Sequence, residues 1–136
     1  MKKIKKIIAI VMATLIVLAI GMVYASAVTG MSGSYASGNA TYNAQHSISS
    51  SYFSAYSQAW CSSGHTARTS TSIMVNYTSG ENDGRTDTGW GYIGTFAHSD
   101  VAMDLDETVE SYESDHYFYY DGILYLEVYL PTGTAY

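Results

Sequence analysis

Between His65 and Tyr77 the chain alternates with a period of two. Ala67, Thr69, Thr71, Ile73, Val75 and Tyr77 share one parity. Thr66, Arg68, Ser70, Ser72, Asn76 and Thr78 share the other, with Met74 the single apolar exception. A helix would scatter these residues around its circumference, whereas a strand sends successive side chains to opposite faces. The β-branched residues, stiff at χ1, suit a pleated surface, so the segment predicts a half-buried strand. Such a strand needs neighbours along its edges and a second layer against its apolar face.

Other segments carry the same signal. In "DHYFYYDGILYLEVYL", Asp121-Gly122 sits between two aromatic and aliphatic runs, the sequence preference of a two-residue type I′ hairpin. Uninterrupted pairing sets Tyr120 opposite Ile123, Tyr119 opposite Leu124, Phe118 opposite Tyr125, Tyr117 opposite Leu126 and His116 opposite Glu127. The inner face is then Tyr117, Tyr119, Leu124, Leu126, Val128 and Leu130. Val101, Met103 and Leu105 alternate against Asp100, Ala102, Asp104 and Asp106 in another short strand with an acidic outer edge. Trp90 to Phe96, with Gly89, Gly91 and Gly94, reads as a bent or bulged strand. "TSGENDGRTDTG" reads as a loop, because it holds three glycines and an Asn-Asp-Gly turn signal.

"SSSYFSAYSQAWC", residues 49–61, is ambiguous in isolation. Tyr52, Tyr56 and Trp60 stand four residues apart, a step compatible with one face of a strand or of a short helix. Its serines and the strands on both sides favour a strand, with Phe53, Ala55, Ala59 and Cys61 on the opposite face. Short strands separated by turns predict an all-β fold, a small antiparallel β-sandwich of two packed sheets. The single domain is expected over 39–136, after a flexible Gly/Ser lead-in at 28–38.

The N-terminus bears on location. Four lysines precede a mostly apolar run, Ile7 to Val23, followed by Tyr24-Ala25-Ser26-Ala27. This is the layout of a signal peptide (residues 1–27) cleaved after Ala27, and it predicts a secreted, extracellular protein. The alternative is an uncleaved anchor, in which case the membrane is touched only through this segment. From Val28 onward only Arg68 and Arg85 oppose all 12 acidic residues, a formal net charge of −10 with neutral histidines. That balance excludes nucleic acid as a partner, since binding it needs clustered cations. Cys61 is the only cysteine, so no internal disulfide supports the fold. It reads as a buried apolar side chain, with pairing between chains as the alternative.

No catalytic constellation, metal site or cofactor motif emerges. Cys61 and His65 have too few companions for zinc. Glu81, Asp83 and Asp87 resemble a calcium loop but place Arg85 where an oxygen ligand belongs. The pair His116 and Glu127 reads as a cross-strand charge pair. Leu130-Pro-Thr-Gly133 falls one residue short of a sortase signal. What remains is the aromatic content. Tyrosine and tryptophan offer large contact area at low entropic cost, and serine offers adaptable hydrogen bonds. The expected function is therefore non-enzymatic binding of an extracellular or cell-envelope target. The candidate contacts are Tyr52, Tyr56, Trp60, Tyr125 and Tyr129, with Arg68 as a charged partner. A small secreted hydrolase built on the acidic residues is the least supported alternative.

The segment "SAYSQAWCSSGHTARTSTSIMVNYTSGENDGRTDTGWG" resembles the middle of the lactococcin 972 family of secreted bacteriocins from Gram-positive bacteria. Ser54 to Ser57, His65, Ala67, Gly84, Asp87, Gly89 and Trp90 carry the resemblance. It implies two small antiparallel sheets packed as a sandwich, and binding of a lipid-linked cell-wall precursor. The acidic segment and the Asp-Gly hairpin depart from the family pattern. A pyrophosphate ligand would also ask for cationic or N–H donors, and only Arg68 and Arg85 supply charge.

Overall fold

A computed structural model describes residues 27–90 and 96–130. The strands are β1 Ala27–Tyr35, β2 Ala40–Ile48, β3 Tyr52–Cys61, β4 Ala67–Tyr77, β5 Asn82–Trp90, β6 Phe96–Asp104, β7 Val109–Tyr120 and β8 Ile123–Leu130. They form two four-stranded antiparallel sheets, ordered β1-β2-β3-β6 and β5-β4-β7-β8. The expected all-β sandwich of two sheets is therefore the fold. No helix of the described residues is long and apolar enough to cross a membrane.

The alternation over 67–77 has the predicted consequence. Ala67, Thr69, Thr71, Ile73, Val75 and Tyr77 are all buried, while Met74 is exposed. β3 behaves similarly, with Phe53, Ala55 and Ala59 buried and Tyr52 and Trp60 exposed, which removes the helical alternative. Val101, Met103 and Leu105 are buried as expected. In the Asp121-Gly122 turn both residues have positive φ, 47° and 81°, as a type I′ turn requires. Asp121 fixes the turn further by accepting from the Thr66 amide at 2.9 Å and lying 2.7 Å from His65 Nδ1.

Four expectations need correction. First, the hairpin register holds only for Tyr120–Ile123 and Tyr119–Leu124. The register then shifts between Phe118 and Tyr119, so that Phe118 faces Leu126, Tyr117 faces Glu127 and His116 faces Val128. The extra residue is Tyr125. A bulge of one residue exchanges the faces of one strand relative to its neighbour. Phe118 and Tyr120 are consequently buried, Tyr117 and Tyr119 lie half-buried on the outer face, and Leu124 is exposed. Second, His116 is fully buried and forms no pair with the exposed Glu127. Third, residues 82–90 are not a loop but β5. Its polar, glycine-containing sequence is tolerated because an edge strand needs only the backbone ladder to β4. Fourth, the segment taken as a flexible lead-in forms β1 and the turn after it, paired with β2 along its length. The bent strand expected over 90–96 lies largely outside the described residues, with Trp90 ending β5 and Phe96 opening β6. The signal segment, residues 1–26, lies outside them too.

The interior is divided. One apolar cluster gathers Tyr35, Ala44, Ala59, Ala67, Ala97, Phe118 and Leu130, and a second gathers Ile48, Phe53, Ala55, Ile73, Val101 and Tyr112. Between them, five strands place polar side chains at inward positions: His46 on β2, Ser57 on β3, Thr69 and Thr71 on β4, Ser99 on β6, Ser114 and His116 on β7. All seven are linked. Thr69 Oγ1 and Ser99 Oγ are 2.9 Å apart, Ser99 and Thr71 hydroxyls 2.7 Å, and Thr71 and Ser57 hydroxyls 2.7 Å. His116 bridges Ser57 and Ser114 at 2.9 Å on each ring nitrogen, and Ser114 reaches His46 Nδ1 at 2.7 Å. A buried polar group left unpaired costs roughly 1–3 kcal/mol, so this connected seam is tolerated where scattered hydroxyls would not be.

Candidate binding face

The outward side of the β1-β2-β3-β6 sheet follows from strand parity. Because Phe53, Ala55, Ser57 and Ala59 point inward, Tyr52, Ser54, Tyr56, Gln58 and Trp60 point outward. The ladders bring neighbours alongside: Gln45 and Asp100 flank Tyr56, Asn43 and His98 flank Gln58, and Thr41 and Phe96 flank Trp60.

These side chains are tied into a row. Asn43 Nδ2 donates to Gln58 Oε1 at 3.3 Å and approaches Tyr56 Oη at 3.4 Å. Tyr56 Oη donates to Gln45 Oε1. Gln58 Nε2 reaches His98 Nδ1 at 3.4 Å, and His98 Nε2 lies 3.2 Å from Asp100 Oδ1. The His98 tautomer with its proton on Nε2 serves both contacts. Ring pairs accompany the row. Tyr56 stacks beside His98 at 6.1 Å and 15°, and Trp60 packs on Phe96 at 5.2 Å and 36°. Trp60 remains 45 % exposed and Phe96 39 %. A shallow dent of about 50 Å³ opens beside Gln45, Ser47, Ser54 and Tyr56. The face therefore combines exposed aromatic area with amide groups whose orientations are already fixed, which lowers the entropic cost of a contact.

The six residues expected to make contact do not form one surface. Tyr52, Tyr56 and Trp60 share this face. Arg68 lies on the other sheet, its guanidinium 3.7 Å from the centre of the Tyr119 ring. Tyr129 donates to Glu113 Oε2 at 2.9 Å, and Tyr125 stands edge-on to Tyr120 at 6.0 Å, both on β8. Sequence reasoning missed Asn43, Gln45, Gln58, Phe96 and His98. The signal for two of them was present: Thr41, Asn43, Gln45 and Ser47 alternate with Ala40, Tyr42, Ala44 and His46.

The Ser57–His116 contact has the distance of a nucleophile and its base, but both side chains are fully buried. Their surroundings are hydroxyls and a second imidazole. Burial first, and then the nearby His46, push the His116 pKa down to about 4, against the opposing effect of a backbone hydrogen bond with Tyr56. Burial also lowers that of His46, whose Nε2 lacks a partner and sits among the rings of Phe53 and Tyr112. Cys61 is partly buried and donates through Sγ to the His65 carbonyl at 3.3 Å. Among the described residues, no group of three or more His, Cys, Asp or Glu side chains could hold a metal ion.

No model of a known protein family matches this chain, nor does any curated protein. Among solved structures it is similar to the crystal structure of a protein designated ApaA from Bordetella pertussis. The TM-score is 0.36 at 11 % identity, over 81 % of this chain and 91 % of that one. It is also similar to an X-ray structure of a Northeast Structural Genomics Consortium target, with TM-score 0.36 and 11 % identity, over 79 % and 83 % of the two chains. Neither likeness contributes to the functional reading.

Proposed function

We propose that this chain is a secreted, non-enzymatic binding protein that engages an extracellular or cell-envelope target with the outer face of its β1-β2-β3-β6 sheet. The exposed Trp60–Phe96 pair beside the Asn43–Gln58–His98 row is the observation that carries this reading. Rings present apolar area that water solvates poorly, and the amides supply donors and acceptors at fixed positions. Asp100 and Asp104 border the face, and the two arginines of the secreted chain both lie on strands of the other sheet. Those charges disfavour an anionic partner and suit a neutral, hydroxyl-rich one.

Purified protein beginning at Val28 should be retained on envelope preparations from Gram-positive cells. Trp60→Ala should abolish most of that retention while melting near the wild-type temperature, because an exposed aromatic contributes little to stability yet can supply about 2 kcal/mol or more of binding. Retention unchanged by Trp60→Ala and by Tyr56→Ala would remove this face from the reading. Growth arrest of the cells would instead select a bacteriocin of the lactococcin 972 type, and turnover of a wall polymer would select a hydrolase.

A further inference from the structure

The sandwich has two flanks, and they differ. On one, β5 and β6 close together: a Cβ placed on Gly89 would lie 1.4 Å from the His98 carbonyl oxygen, and the Asp100 amide donates to Asp87 Oδ2 at 3.1 Å. On the other flank, β1 ends one sheet and β8 ends the other, and no described strand pairs with either outer edge.

The two strands that border this open flank carry exposed apolar side chains. Ten large apolar side chains stand exposed among the described residues, and six of them are on β1 and β8: Val28, Leu124 and Tyr129 lie on the outer faces of their sheets, Met31 and Ile123 have the inward parity, and Tyr125 is the bulged residue. Met31 is 50 % exposed although its parity points it between the sheets, and Ile123 is 60 % exposed. β1 carries no charged residue and no proline, and β8 carries only Glu127. Natural edge strands are normally blunted by such charges, prolines or bulges. β6 has Asp100 and Asp104, and β5 has Asp83, Arg85 and Asp87. Only β8 has a bulge to twist its edge, at Tyr125, while β1 is paired with β2 without interruption.

We infer that a second copy of this chain docks across this flank, with β1 of the two protomers pairing antiparallel and the β8 side chains packing beside them. Charge selects the occupant. Two chains of net charge −10 repel one another over most of their surfaces, and this nearly uncharged side is where they can approach. The size is adequate. β1 is about 30 Å long and the flank about 20 Å deep, giving about 600 Å² per copy, near the lower end of stable interfaces. Antiparallel self-pairing has its two-fold axis perpendicular to the sheet, so a continuous eight-stranded sheet results and both candidate binding faces point the same way. Centred on the middle of β1, the pairing brings the two copies of Met31 together.

Sedimentation velocity on the secreted chain tests this directly. The wild type should run at twice the protomer mass. Met31→Lys sets two ammonium groups near each other at the axis, and should raise the dimer dissociation constant at least about tenfold. Ile123→Lys, on β8 with inward parity, should act in the same direction and serves if the first variant folds poorly. Trp60→Ala should remain dimeric, since that face stays open. A wild type that is monomeric at every concentration overturns the inference, as does a dimer untouched by both lysine variants. A monomer with β1 edge amides protected from hydrogen exchange would place a segment of its own chain there, and also overturns it.

Discussion

Acidification should weaken this fold through His116 more than through any other described histidine. The side chain is fully exposed in the unfolded chain, where its pKa is near the ordinary value of 6.5, and is held at about 4 in the folded seam. A histidine whose folded pKa is depressed stabilises the native state while both forms are neutral. As the pH falls through 6.5, the unfolded chain takes up a proton that the folded chain refuses, and stability declines until the folded pKa is reached. The loss is about 1.4 kcal/mol per pH unit, and about 3 kcal/mol over the whole window from 6.5 to about 4. The groups packed around His116 are Ser57, Ser114, Thr71 and Val128, and the only other titratable side chain in the seam is His46. His46 is shifted in the same direction, so it steepens the decline. Urea unfolding across this range, on wild type and on His116→Asn, separates the histidine from the many carboxylates. The asparagine variant starts less stable but should lose about 3 kcal/mol less on acidification. Parallel curves for the two proteins, or a wild type that strengthens as the pH falls, would refute the reasoning.

Phe118→Ala should cost about 3–5 kcal/mol by thermal or urea unfolding, since Phe118 is fully buried among Tyr35 and Tyr42, whereas Tyr119→Ala should cost markedly less. Gly89→Ala has no room beside the His98 carbonyl and should separate β5 from β6, visible as a lowered melting temperature and faster exchange of the β5 amides. Secreted material should begin at Val28 and contain no lysine, and mass analysis finding Lys2 to Lys6 would reverse that reading.

What the sequence revealed depended on whether period two survived undisturbed. β4 was legible because its inward positions from Ala67 to Val75 are all small or β-branched and the strand is central. β7 and β8 were legible as a hairpin from the Asp-Gly turn, but their faces were not. The bulge at Tyr125 leaves no mark in a run where both parities are aromatic. β1 and β5 were missed because edge strands are held largely by backbone ladders, which their glycine, serine and polar residues can form without leaving an alternating apolar pattern. The candidate face was half visible. Tyr52, Tyr56 and Trp60 lie on one strand, so parity joins them, whereas Phe96 and His98 arrive through pairing of residues some 40 positions apart. The polar seam was detectable in part, since Thr69 and Thr71 share the parity of Ile73 and Val75. Ser57 similarly interrupts Phe53, Ala55 and Ala59.

The seam also acts as an alignment key. Two greasy sheets can slide along one another by a residue pair, about 7 Å, and exchange one hydrocarbon contact for another at little loss. Here such a slide would carry Thr69, Thr71, Ser114 and His116 away from Ser57, Ser99 and His46 and against methyl groups and rings. Each stranded donor or acceptor would then stand dry and unpaired. The polar layer thus admits a single longitudinal setting of one sheet on the other, and the apolar clusters on either side need only fill the space that this setting leaves.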